Sequence, residues 1–201
     1  MALEEIYELM RNRRAVRRYE DRPVPGALVE KLLASAVWVP SAHNRQPWRF
    51  AVLRSWASKD KLARAMGEKL HQDRLADGDS LEAVVRDVSR SYIRITGAPI
   101  AIVFFLAMSD MDRYPDQRRG EAERQMAVQS VAMAVQNLWL LAAAEGLGAC
   151  WLCAPLFVPE LVRETLDLPG DWQAQGLLTL GWPAEKRHKD RRPWKESVRF
   201  F

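Results

Sequence analysis

The chain has 201 residues, enough for one domain with a substantial core and terminal arms that reach a partner. Hydrophobic residues at 48% and charged residues at 28% exclude a chain that stays disordered, while two cysteines and three histidines argue against a disulfide framework or a transition-metal site. The net charge of +4 is uneven: Arg11 to Arg18 contributes +5 and Lys186 to Arg192 contributes +4, leaving −5 elsewhere, a distribution suited to one or two concentrated anions and not to a long polyanion such as a nucleic acid.

In chain order, Leu3, Ile6, Tyr7 and Met10 fall at helical spacing and lead directly into the arginine run. After Pro23 and Pro25, Leu28, Leu32, Leu33 and Val37 mark a second helix that stops at Pro40, and a polar loop follows to Pro47. Trp48 to Leu53 reads as a strand. Helices are expected over about residues 59–74 and 81–95, with a turn at Asp77, Gly78 and Asp79 between them. Ile100 to Leu106 is rich in Ile, Val and Phe and predicts a buried central strand. The charged segment 108–120, with Pro115, predicts a surface loop. Residues 121–145 predict one helix about 37 Å long, apolar nearly all round and therefore buried. Cys150 to Cys153 and Gln175 to Leu180 read as strands, and Pro159 to Leu166 as a short helix. The tail alternates Val198 and Phe200 with Arg199 and Phe201, an apolar strand expected to pair with another subunit. No run of about 18 uninterrupted apolar residues occurs, and Glu4 and Glu5 do not suit a signal peptide, so a soluble, cytoplasmic protein is expected, without membrane association.

These elements predict an α+β fold, a single domain over residues 1–201 in which helices cover both faces of one sheet. No Walker-type or dinucleotide glycine motif is present, which leaves P-loop and Rossmann readings without support. Cys150 and Cys153, three apart on an expected strand, point to opposite faces and are poorly placed to bond to each other. The arginine run, the second cluster at Lys189 and Arg191 and the polar 40–47 loop supply three things a phosphorylated planar cofactor needs: cationic forks, polar groups and an apolar wall. Trp38 and Trp139, at helical spacing, read as core residues.

Four stretches in register carry a resemblance that spans nearly the whole chain. Arg13-Arg14-Ala15-Val16-Arg17, the segment from Pro40-Ser41-Ala42-His43-Asn44 to Phe50, Asn137 leading to Ala143-Ala144-Glu145-Gly146-Leu147-Gly148, and Lys189-Asp190-Arg191 resemble the nitroreductase family of FMN enzymes. Within it, the residues 111–116, Gln129-Ser130-Val131, Cys150-Trp151 and Ala154 to Phe157 look like the flavin domain fused to the coenzyme F-420 glutamate ligase. The resemblance implies a central mixed sheet flanked by helices, and a homodimer with an exchanged C-terminal arm, about residues 194–201, and two interfacial FMN sites. By family position, Arg13, Arg14 and Ala15 would hold phosphate and ribityl chain, with Lys189 and Arg191 completing the phosphate site. Arg17 would face the pyrimidine side of the ring. Pro40, Ser41, Ala42 and Asn44 would approach from the second subunit, with Ser130 near the flavin edge. Trp151 and Leu152 would wall one face, and backbone N–H groups around Cys153 and Ala154 would address N5 and O4. Ala15 stands where many members have Ser, so one hydroxyl donor to phosphate is missing, and residues 71–79 offer no counterpart to the Asn and Lys that some members place near the ring.

The implied activity is ping-pong transfer: hydride from NAD(P)H to FMN, then reduction of a small planar acceptor such as a nitroaromatic, a quinone, or a deazaflavin related to coenzyme F-420. The protein then needs no nucleophile or catalytic acid of its own. The competing expectation is a flavin or deazaflavin binding module that serves a partner ligase.

Overall fold

The computed structural model describes residues 3–201. Four strands form one sheet in the order β1-β2-β4-β3, where β1 is Trp48–Leu53, β2 Ile100–Ala107, β3 Gly148–Leu152 and β4 Trp172–Gly181. Every pairing among them is antiparallel, so the sheet is antiparallel and not mixed as the resemblance implies; an isolated parallel bridge, Ala15 to Ala149, lies outside these strand pairings. β2 is central and buried along its whole length, as its β-branched and aromatic composition predicts.

The alternation of β2 builds two cores. Ile102, Phe104 and Leu106 face one layer, made by α2 (Gly26–Ala36) and α5 (Gln117–Ala144), where Leu32, Val131, Val135 and Leu138 pack. Val103 and Phe105, with Leu177 of β4, face the other, made by α3 (Trp56–Ala76), α4 (Leu81–Thr96) and α6 (Pro159–Thr165) through Leu62, Ile95 and Val162. At Phe104 and Phe105 the register with β4 slips by a bulge. Gly176 lies opposite, where a Cβ would come within 2.3 Å of the Phe104 ring, so only glycine lets that phenylalanine lie flat across the sheet.

Helix starts follow local chemistry. The Ser55 hydroxyl accepts the Ser58 amide at 3.0 Å, Ser80 accepts that of Ala83 at 3.4 Å, and Asp116 accepts that of Arg119 at 3.0 Å. The Asp116 cap corrects the expected loop: α5 begins at Gln117, and Met111 within the segment is buried. α5 is not buried all round either. Ala127, Val131, Ala134 and Leu138 form its inner stripe, while Met133 is exposed. By length and composition alone α5 could cross a bilayer, but that inner stripe is spent on the sheet and α2.

α1 (Leu3–Asn12) carries Arg11, the first residue of the arginine run, in its last turn, and after β4 the chain returns beside it at His188 to Arg191. The expected C-terminal strand does not form within one chain. Trp194–Ser197 makes a 3-10 turn, and Val198 is extended but has no strand beside it; Phe200 and Phe201 are exposed.

Candidate functional site

The site is built where the two ends of the chain meet. The Val16 amide donates to the Ala149 carbonyl at 2.9 Å, which lays the arginine run along the outer edge of β3. Gly148 allows this approach, since a Cβ there would sit 2.8 Å from that of Val16. From the other terminus, the Glu185 carboxylate accepts the Arg17 amide at 2.7 Å and the Arg187 guanidinium at 2.8 Å. The Arg187 hydrogen bond first, and the Arg17 amide after it, hold this carboxyl below its ordinary range. One acid thus ties both cationic segments together.

Between them lies a cavity of about 460 Å³ lined by Arg13, Arg14, Ala15, Arg17, Lys189 and Arg191, with Trp139, Arg187 and His188 completing the wall. Among the described residues no carboxylate lines it, and of its arginines and lysine only Arg187 is ion-paired. Burial first, then the neighbouring charges of Arg191 and Arg14, push the Arg13 guanidinium below its ordinary pKa. Arg13 also stacks on Trp139, its guanidinium carbon 4.1 Å from the ring centroid. Arg14 Nη1 donates to the Arg11 and Arg13 carbonyls, yet its buried Nε has no partner. Crowded like charges and an orphaned donor fit a bound anion, and a phosphate monoester offers the charge and acceptor oxygens to satisfy both. The methyl of Ala15 contributes no hydroxyl.

The remaining expected residues are placed elsewhere. Trp151 and Leu152 alternate across β3: the Trp151 ring packs 4.4 Å from that of Phe104 in one core, and Leu152 belongs to the other. Their side chains therefore do not share a wall. Cys153 is exposed just past the strand and begins the 3-10 turn Ala154–Phe157, while Cys150 is buried and both thiols are free. Burial is the main cause that raises the Cys150 pKa. Ser130 is buried on α5, and its hydroxyl donates to the Met126 carbonyl at 2.8 Å, so in this chain it serves its own helix. Pro40 and Ser41 lead into the 3-10 turn Ala42–Asn44, and Ala42 packs against the α5 core.

Sequence reasoning missed several features. Trp139 packs against the core as its helical spacing predicts, but it also lines the cation cavity; Trp38 is 85% exposed and is not core. Arg94, in the last turn of α4, is held below its ordinary pKa by burial and then by Arg17, which marks a further guanidinium close to this region. His71 lines a separate cavity of about 590 Å³ between α3 and α4.

An antiparallel sheet between two helical layers, with a cationic seat where the termini meet, defines a nitroreductase-like α+β protein. The chain belongs to the nitroreductase family, whose sequence signature matches residues 10–182. It is 31% identical over 184 residues to the 5,6-dimethylbenzimidazole synthase of Rhodospirillum rubrum, across 87% of this chain and 80% of that protein. It is 29% identical over 210 residues to the NADH dehydrogenase of Thermus thermophilus, across 92% of this chain and 90% of that one. Among solved structures, a nitroreductase-type protein of Desulfovibrio desulfuricans in complex with FMN superposes with a TM-score of 0.73 at 27% identity, covering 96% of this chain and 94% of that one.

Proposed function

We propose that the protein is an FMN-dependent oxidoreductase that draws reducing equivalents from NAD(P)H and delivers them to a small planar acceptor. The observation that carries this reading is the cavity at the joined termini, where Arg13, Arg14, Arg17, Lys189 and Arg191 have no carboxylate partner among the described residues. The family membership and the FMN complex of the Desulfovibrio protein support the choice of FMN as the anion's bearer. The name of the Thermus relative supports a nicotinamide donor.

FMN, when bound, supplies hydride acceptance and donation. The chain's residues supply the rest. Arg13, Arg14, Lys189 and Arg191 grip the phosphate through charge-assisted hydrogen bonds. Arg17, which lines the same cavity, would supply a fixed cation for the pyrimidine side of the ring, favouring the reduced form. Backbone N–H groups around Cys153 and Ala154 would address the N5 and O4 side of the ring, near the end of β3 where Trp151 and Leu152 lie. Pro40, Ser41, Ala42 and Asn44 complete the site from a second copy of the chain in a homodimer, whose exposed 194–201 arms would cross between subunits. A version in which the acceptor is a deazaflavin rests on the sequence resemblance alone.

The test is the visible spectrum of the purified protein, mass analysis of what heat releases, and anaerobic addition of NADH or NADPH. Released FMN that bleaches with either nucleotide supports the proposal. A flavin that stays oxidised favours a binding module, and a protein that refuses added FMN overturns the assignment. A second reading is favoured by the Rhodospirillum relative: formation of 5,6-dimethylbenzimidazole, detected by mass spectrometry of aerobic turnover mixtures.

A further inference from the structure

Glu123 on α5 has no accessible surface, an expensive place for a carboxylate. Its Oε1 accepts the Asp112 amide at 3.2 Å and its Oε2 has no partner among the described residues. The Asp112 carboxylate, which projects from the stretch between β2 and α5, pairs with Arg45 of the 41–46 loop. One turn of a core helix is thereby connected, through one backbone amide and one ion pair, to a loop on the far side of β1's start.

That loop is strained. His43, Asn44 and Gln46 adopt φ values of 50°, 55° and 52°, left-handed conformations that cost a non-glycine residue and persist only where the surroundings over-determine them. Within the loop the Ser41 hydroxyl accepts the Gln46 amide at 3.0 Å, and Gln46 reaches Asn44 at 3.4 Å. Next to it, Arg49 pairs with Asp110, so the same stretch after β2 holds the loop at Arg45 and again where β1 begins.

We infer that Asp112 and Glu123 are positioning residues: Glu123 fixes the Asp112 backbone, Asp112 fixes Arg45, and the brace holds Ser41, Ala42 and Asn44 in the one strained shape that meets a flavin. This rests on the FMN reading for its last step only. The brace itself is a property of the chain without cofactor.

The experiment compares wild type, Asp112→Ala and Glu123→Gln by amide hydrogen exchange of the flavin-free protein and by FMN titration. Asp112 is partly exposed, and exposed ion pairs contribute little to global stability, so Asp112→Ala should keep its melting temperature within about 2 °C. Exchange over residues 41–47 should rise at least about threefold without change in α5 or the sheet, and FMN affinity should fall by a similar factor. Glu123→Gln retains an acceptor for the Asp112 amide and should match wild type in both. Unchanged exchange at 41–47 in Asp112→Ala, or a rise spread over the whole chain, overturns the brace. A loosened loop with unchanged FMN affinity overturns its role toward the flavin. Should wild type itself refuse FMN, the functional reading fails while the exchange measurements still decide whether the brace exists.

Discussion

The Val16 amide meets the Ala149 carbonyl at 2.9 Å, and this single hydrogen bond sets the arginine run against β3. The contact depends on the missing side chain at Gly148, where a Cβ would lie 2.8 Å from that of Val16. Gly148→Ala should therefore push the run outward. Overpacking of this kind costs about 1–3 kcal/mol, or roughly 2–12 °C in Tm for a chain of this size. The affinity for FMN should fall by more than the stability loss explains, read by titration at a temperature where both proteins are fully folded.

Arg191 and Arg14 should each matter to phosphate binding. Removing one charged hydrogen-bond donor costs about 1.5–3 kcal/mol, so Arg191→Ala and Arg14→Ala should each weaken FMN binding roughly 10- to 100-fold. Riboflavin, which lacks the phosphate, should bind the variants and wild type alike. Equal losses for both ligands would remove the phosphate from this cavity.

Arg17 is expected to act on reduction. Among the described residues its guanidinium carries no ion pair and only a long contact of 3.5 Å to the Ala15 carbonyl, which leaves its charge available. Arg17→Ala should slow flavin reduction by NAD(P)H more than it weakens flavin binding, and should lower the midpoint potential of the bound flavin. Stopped-flow reduction set against binding titration checks this, and equal losses in the two would refute it.

Tyr19 gives a pH signature. Its hydroxyl donates to the Val16 carbonyl at 2.7 Å and lies 2.8 Å from Thr179 Oγ1, and burial is the main cause that holds its pKa well above the ordinary 10. The folded chain keeps the proton where the unfolded chain loses it. This contribution is complete below pH 10 and is lost as pH rises above it, at up to about 1.4 kcal/mol per pH unit. Denaturant unfolding between pH 9 and 11 should show a steeper loss in wild type than in Tyr19→Phe.

Much of this architecture is legible from residue order. β1, β2, α2 and α4 fall where alternation, β-branched runs and helical spacing place them, because their buried faces are long and their ends carry serine or proline signals. The start of α5 was obscured by Pro115 and a run of charge, since only the backbone shows that Asp116 caps a helix. The cation cavity was legible as two charge clusters. Its Trp139 wall was not, for a tryptophan on a long helix has the same spacing whether it meets core or solvent cavity. Strand alternation by itself parts Trp151 and Leu152 to opposite faces, but spacing does not show that Ser130 turns its hydroxyl back on its own helix.

The bond between Arg17 and Glu185 joins positions 168 residues apart. The cation-lined cavity is therefore closed by one of the most non-local contacts of the fold, and closing so long a loop must precede any reward from the contacts it makes. Synthesis has to pass Glu185 before the stretch around Arg17 can meet its partner. Until then the arginine run is a bare polycation in a crowded cell, and free cofactor, by capturing the seat once it closes, would act as the last fastening of the newly made protein.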